Sequence, residues 1–193
     1  MSVVVVLALV LMSGVAGVGF VSLASGERML DRVVAEGFEP LVNEDFARAE
    51  TLHNAVGLIL NADRDAYQAH LAERELLSGR GDAASLAASR EENTQQVIDR
   101  MSQTAGAMTP EMRPLFDAFS SGFNRWQAAS AEVERLAAQG DQDAAQTLSE
   151  GNAQTAFDDM RTAIDRLTEA FEAEIAATTA QVERREAAAA EMT

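Results

Sequence analysis

A dense group of polar residues interrupts an ordinary amphipathic helical pattern in the segment ILNADRDAYQA. On a helix Asn61, Arg64, Asp65 and Gln68 share one face, because they are spaced at i, i+3, i+4 and i+7. Such a stripe can bind a zwitterion, because the guanidinium of Arg64 can bind its carboxylate and Asp65 can supply the counter-charge for its amine. Two alternatives stay open: Arg64 pairs with Asp65 or a neighbouring helix on a solvated face, or the stripe pairs with a partner subunit.

The composition excludes several function classes. Thirty-one acidic residues stand against fifteen basic ones, all of them arginine, and the net charge is −16. A strongly acidic surface repels nucleic acid, so we expect no nucleic-acid partner. The chain has no cysteine, which excludes disulfides and thiolate chemistry. Few prolines and few aromatic residues favour helices over sheets.

The sequence carries no complete catalytic or metal-binding motif. Glu50-x-x-His53 has the spacing of di-iron bundles, but those sites need a second such motif, and none occurs. Neither a phosphate-binding loop nor a GxSxG nucleophile motif is present. We therefore expect a protein that is not an enzyme, with no catalytic residue, no metal site and no cofactor.

The start of the chain predicts a membrane anchor. Val3 to Ala24 form an uncharged apolar run of about 22 residues, long enough to cross a bilayer at about 1.5 Å per residue. A cleaved signal peptide is the alternative, but no basic residue precedes the run. We expect residues 1–25 to be a transmembrane helix. The missing basic flank also suggests a truncated N-terminus.

Residues 26–193 predict four helices separated by glycine and cap residues. The first and fourth are long, and the second and third form a shorter hairpin. Short connections make neighbours antiparallel, so the expected fold is all-α: an up-down-up-down antiparallel four-helix bundle with long first and fourth helices, preceded by a transmembrane helix. The expected boundaries are about 27–78, 83–107, 110–139 and 142–193, with a kink near Gly37 and Pro40.

Apolar residues three and four apart predict which faces are buried. The third helix offers Phe119, Phe123, Trp126, Ser130, Val133 and Ala137, and the fourth offers Ala153, Phe157, Met160, Ile164, Leu167, Phe171, Ile175, Thr178 and Val182. Tyr67 lies on the face beside the polar stripe, and we expect it in the core with a hydrogen-bonded hydroxyl.

This layout, together with LHNAVGLILNADRDAYQA, RWQAASAEVERLAAQGDQDAAQTLSEG and AFDDMRTAIDRLTE, resembles the four-helix-bundle ligand-binding domain of bacterial methyl-accepting chemotaxis proteins. The resemblance implies a homodimer, a periplasmic sensor domain over residues 26–193, binding of a small solute at the subunit interface, and signalling through the fourth helix. The chain lacks the second membrane span and cytoplasmic module of that family, so we expect a fragment.

Counting along antiparallel helices from their connections places Arg64 level with about residue 157. Arg125, Asn152 and Thr155 are then polar groups within reach of the stripe. In the aspartate-type receptors, late arginines of the first helix and an early threonine of the fourth hold the ligand. Arg64 and Thr155 match that pattern in position, with Arg74 as a further candidate. The family's set of three closely spaced arginines is missing, so the expected ligand class is amino acids or organic acids rather than aspartate itself.

Two other functions remain open at this stage. The same bundle can serve as the sensor domain of a histidine kinase or a cyclic-dinucleotide enzyme. A ligand-free, membrane-anchored structural bundle is the third possibility, and it predicts that the protein itself pairs the polar groups of residues 61–68.

Overall fold

The computed structural model describes residues 39–191, and the regular secondary structure of this part is entirely helical. A long first helix is followed by a shorter helical hairpin and by a long returning rod. The fold is the expected all-α four-helix bundle. The helices are α1 (Glu39–Leu77), α2 (Ala83–Thr104), α3 (Arg113–Ala138), α4 (Gln142–Leu148) and α5 (Gln154–Ala190).

The chain divides into two compact units. The larger unit is Glu44–Glu183, and the described part of the smaller unit comprises residues 39–43 and 184–191. In the smaller unit the guanidinium of Arg185 donates to the carbonyl oxygen of Leu41 at 2.9 Å. All of the sites considered below lie in the larger unit.

The helix ends are set by the predicted cap residues. Gly79 and Gly140 have φ angles of 67° and 81°, a left-handed conformation in which glycine carries no steric penalty. Asp82 caps α2 by accepting a hydrogen bond from the Ser85 amide at 2.8 Å, and Asp141 caps α4. Glycine and aspartate together therefore make the abrupt turns that bring successive helices antiparallel.

The third helix begins later than its sequence predicts. Pro110 opens a short 3₁₀ turn, Pro110–Met112, and α3 proper starts at Arg113. Another 3₁₀ turn, Ala105–Ala107, precedes it directly after α2. The connection between α2 and α3 therefore consists of two 3₁₀ turns and is longer than a simple capped loop. The hairpin is nevertheless short, with 22 residues in α2 and 26 in α3.

The predicted apolar seams form the core. Leu52 and Ile59 of α1 pack with Val97 and Met101 of α2 in the same cluster. The buried members of the two predicted seams are Phe119, Phe123, Trp126, Ser130 and Val133 on α3, and Ala153, Phe157, Met160, Ile164, Leu167, Phe171, Thr178 and Val182 on the fourth rod. Close packing of these side chains holds the four rods together.

The fourth rod is not the single α-helix expected from the sequence. A π-helical turn, Ser149–Ala153, separates α4 from α5. Gly151 and Asn152 lie within it, and both are poor helix formers. Residues four apart drift by about 40° per step on a regular α-helix. The wider π turn offsets this drift, so Ala145, Ser149 and Ala153 all face the interior.

Tyr67 is not the core residue expected from its position. Its side chain is 55% exposed, although its ring lies 6.5 Å from that of Phe157. The interior positions of this part of α1 are taken by Ala62, Ala66 and Ala69. Their small side chains let the neighbouring helices approach closely, which leaves no room for a tyrosine on that face.

The membrane helix expected at Val3–Ala24 and the glycine of the expected kink, Gly37, lie outside the described residues. Between residues 39 and 191, no helix combines the length and the apolar character that a membrane span needs. Pro40 is the second residue of the described part of α1.

Candidate functional site

One face of α1 carries large side chains exposed to solvent. Phe46, Leu60 and Tyr67 are each about half exposed, and they follow one another at multiples of seven residues. Leu71 is also exposed, one turn beyond Tyr67. We call this row, with the exposed Arg64, Gln68 and Arg74 beside it, the α1 face. A heptad row of exposed apolar side chains is typical of a helix that packs against a further helix.

The predicted polar stripe is divided between the interior and this face. Asp65 is completely buried, whereas Arg64 and Gln68 are exposed. The amide of Asn61 is half-buried and donates to the carbonyl oxygen of Gly57 at 2.8 Å. Residues three and four apart share a helix face only approximately. The boundary between core and solvent passes between the members of the stripe, so some of them point inward and others outward.

Asp65 is held by two arginines. Arg64 donates to its Oδ1 at 3.0 Å from Nη2, and Arg100 of α2 donates to its Oδ2 at 2.6 Å. The Arg64 side chain is 55% exposed and that of Arg100 is 27% exposed, so Arg100 is the more buried partner. Charge-assisted bonds of this length satisfy both oxygens of a buried carboxylate. Asp65 therefore ties α1 to α2.

Sequence reasoning missed Arg100. The partners predicted for the stripe, Arg125, Asn152 and Thr155, belong to the third and fourth helices, and none was predicted on α2. A buried aspartate on α1 requires a cation at the same level of the bundle. Because α2 carries only two arginines, Arg90 and Arg100, the sequence could have indicated Arg100 as that cation.

The remaining predicted site residues do not meet Arg64. Thr155 is exposed, and its hydroxyl donates to the carbonyl oxygen of Gly151 at 3.0 Å. Asn152 is exposed within the π turn. Arg125 donates to Asp159 of α5 at 2.9 Å, and it lines a groove of about 440 Å³ between α3 and α5. The contacts of Arg64 thus lie on the α1–α2 side and those of Arg125 on the α3–α5 side.

Arg74 lies at a cleft near the end of α1. The cleft has a volume of about 300 Å³ and lies between the last turns of α1 and the start of the fourth rod. Arg74 and Arg80 supply its positive charge, Glu150 and Glu75 its negative charge, and Ser149 and Gln146 neutral polar groups. A cleft with both charges can hold a small zwitterion, which is the ligand chemistry expected from the sequence.

A polar layer lies inside the bundle next to this cleft. Glu73 of α1 is completely buried, and it accepts hydrogen bonds from the hydroxyls of Ser130 and Ser149, the latter at 2.8 Å. Burial raises the pKa of Glu73 and is the largest influence on it, whereas the Ser149 hydrogen bond and the charge of Arg90 act to lower it. We call Glu73, Ser130 and Ser149 the buried polar layer.

An aromatic cluster lies one turn from the buried polar layer. His70 stacks on Phe157, and Trp126 packs against the same phenyl ring with 5.3 Å between ring centroids. Both His70 Nδ1 and Trp126 Nε1 are buried without a hydrogen-bond partner in the described part of the chain. Trp126 belongs to the predicted seam of α3, whereas the stacking of His70 was not predicted.

These features define a helical module with an exposed helix face, a charged cleft and buried polar contacts that tie its helices together. Within residues 39–191, no group of three or more His, Asp or Glu side chains is arranged to hold a metal ion.

The chain belongs to the family of four-helix-bundle sensory modules for signal transduction, whose family model matches residues 1–183. This confirms the resemblance drawn from the sequence motifs, and it makes the chain a chemoreceptor-type sensory domain that acts in signal transduction. No curated protein and no solved structure matches the chain.

Proposed function

We propose that the chain is the sensory domain of a transmembrane chemoreceptor. It is a non-catalytic periplasmic domain anchored in the inner membrane by residues 1–25, and it works as a homodimer that binds an amino acid or organic acid. Membership of the sensory-module family supports the signalling role. The α1 face is the observation that carries the dimer and the ligand site, because it combines unpartnered apolar side chains with exposed arginines.

The dimer contact runs along the α1 face. Leu60 and Tyr67 are both 55% exposed, although helices of a bundle normally turn such side chains inward. Pairing α1 with the same helix of a second chain buries Phe46, Leu60, Tyr67 and Leu71 around a two-fold axis, since an isologous contact brings a surface against its own copy. The heptad spacing of Phe46, Leu60 and Tyr67 provides the knobs for such a contact.

The solute binds beside these apolar residues. Arg64, Gln68 and Arg74 are exposed at the same end of the α1 face, and a guanidinium recognises a carboxylate through two parallel hydrogen bonds. Asp65 is unavailable for an amine, because Arg64 and Arg100 already occupy both of its oxygens. The amine of an amino acid would instead meet Glu75 or Glu150 in the cleft beside Arg74.

A ligand-free structural bundle is the second candidate, and a specific observation favours it. Asn61 bonds to its own helix, and Asp65 is paired by Arg64 and Arg100, so the protein itself satisfies much of the polar stripe. The two candidates differ in whether Arg64 and Arg74 gain an external partner.

The dimer is tested by sedimentation of the full chain, purified in detergent because of its apolar start. Leu60→Glu places a like charge on both sides of the two-fold axis and should convert the dimer to a monomer. Ile98→Glu is the matched control, because Ile98 is an exposed apolar residue on α2 rather than α1. A chain that sediments as a monomer before any substitution contradicts the dimer.

The ligand site is tested by isothermal titration with the standard amino acids and short dicarboxylic acids. Arg64→Ala and Arg74→Ala should each weaken binding at least tenfold, which is about 1.4 kcal/mol for a lost charge-assisted contact. Arg113→Ala is the control, because Arg113 is exposed at the start of α3, away from the α1 face. Absence of heat with every compound would favour the structural bundle.

A further inference from the structure

Glu73 and Ser130 of the buried polar layer have no role in the solute site described above. Glu73 is one of the largest fully buried side chains, and no arginine in residues 39–191 forms an ion pair with it. Buried carboxylates are normally paired with a cation, since an isolated charge in the interior is costly. Two serine hydroxyls replace the expected cation.

The charged groups around Glu73 leave it without a counter-ion. Arg90 of α2 is one candidate, but its Nε and Nη2 donate to Glu134 of α3. Arg74, the next residue on α1, is exposed and lines the cleft. On the fourth rod, Ser149 faces Glu73 while Glu150 is exposed to solvent. An ionised Glu73 would therefore rest on hydroxyl groups alone.

The same contacts suit a protonated carboxyl group. A neutral carboxyl donates its proton to one serine oxygen and accepts the hydroxyl proton of the other serine. Both of its oxygens are then satisfied, and no charge is buried. Burial, the largest influence on this group, favours the neutral form and raises its pKa.

We propose that Glu73 is a proton-binding site that makes the module responsive to pH, in addition to solutes. Loss of the proton leaves a buried charge, which favours loosening of the buried polar layer so that water can solvate the carboxylate. Ser149 begins the π turn and also lines the cleft, so water can reach the carboxylate from that side. The π turn leads directly into α5, and its loosening therefore changes the packing of the first turns of that helix.

Hydrogen exchange of the full chain in detergent tests this proposal. After correction for intrinsic rates, the protection of amides in and after the π turn should fall at least tenfold between pH 5 and pH 8. Glu73→Gln keeps the shape of the protonated side chain and should abolish this change. Glu50→Gln is the matched control and should keep the change, because Glu50 is an exposed glutamate on the same helix.

A Glu73→Gln variant that keeps the pH dependence, or a wild-type chain without it, overturns the proposal. Should that variant fail to fold, carboxyl-carbon NMR of the unsubstituted chain decides the matter. One glutamate carboxyl must titrate above the ordinary range, and Ser149→Ala must shift its midpoint. Titration of all glutamates in the ordinary range contradicts the proton site. None of these results depends on solute binding, so they test the proton site independently of the proposed solute site.

Discussion

The imidazole of His70 lies almost flat against the ring of Phe157, with centroids 4.3 Å apart and planes inclined by 16°. This contact joins α1 to α5 in the interior. Burial is the main cause that lowers the pKa of His70, and the charge of Arg74 adds to it. The hydrogen bond with Gln154 and the charge of Asp158 act in the opposite direction. The fold therefore holds His70 neutral.

Acidification should destabilise the bundle through His70. Its pKa in the folded chain is below the ordinary value of about 6.5, so the unfolded chain takes up the proton first as the pH falls. Stability from this group is present above about pH 6.5 and is lost as the pH falls towards the lowered pKa. His70→Phe keeps a stacked ring and should reduce this loss of unfolding free energy at acid pH, as measured by urea unfolding followed by Trp126 fluorescence. His53→Gln, at an exposed position, should leave the loss unchanged.

Alkaline conditions should destabilise the bundle through Glu73, with the opposite sign. Its raised pKa means that the unfolded chain loses the proton first as the pH rises above about 4.3. Stability is fully present below that pH and falls until the raised pKa is passed. Glu73→Gln should therefore be more stable than wild type at pH 8, and this advantage should vanish near pH 4. Equal melting temperatures of the two chains across the range would contradict the raised pKa.

The two arginines on Asp65 should differ in their importance. Removing Arg100 leaves a buried carboxylate with one exposed partner, and Arg100→Met should cost about 3 kcal/mol of unfolding free energy. Arg64→Met removes a half-exposed partner and should cost less than about 1 kcal/mol. Urea titration measures both. Equal or reversed costs would show that Arg64 supports Asp65 at least as much as Arg100 does, and the Arg64 substitution could then not serve as a clean test of ligand binding.

Gly122 should tolerate no side chain. A Cβ atom there would lie 2.9 Å from the Cα of Met160 on α5, and a backbone atom cannot move aside as a flexible side chain does. Gly122→Ala should cost about 1–3 kcal/mol by forcing α3 and α5 apart. Gly106→Ala, where a Cβ meets nothing within 4 Å, should change stability by less than about 1 kcal/mol. Equal stability of the two variants would show that α3 moves freely against α5.

The sequence predicted the helices and the apolar seams well, because both follow from local periodicity. Phe157 and Met160 are buried where their spacing places them, and Asp82 and Asp141 cap the helices they precede. The side chains that pair between helices were not predictable in this way. Whether Asp65 meets Arg100 or a ligand depends on the rotation of α1, because only about 60° around the helix separates the buried Asp65 from the exposed Gln68.

The π turn was missed because its cause is not local either. Gly151 and Asn152 weaken the helix, but they do not say whether it will break, kink or bulge. The π turn coincides with a contact between helices, the hydrogen bond from Ser149 to the carboxylate of Glu73, which local sequence does not reveal.

The π turn also has a consequence for the length of the chain. A single deletion in a bundle helix ordinarily rotates every following side chain by about 100°, which would turn the seam of α5 away from the core. The π turn holds one residue more than the regular helix needs. Removing one of its residues would restore an unbroken α-helix, with Ala145 and Phe157 still facing inward. In the described part of the fourth rod, the π turn is therefore a place where the number of residues between α4 and α5 can change by one without loss of the core.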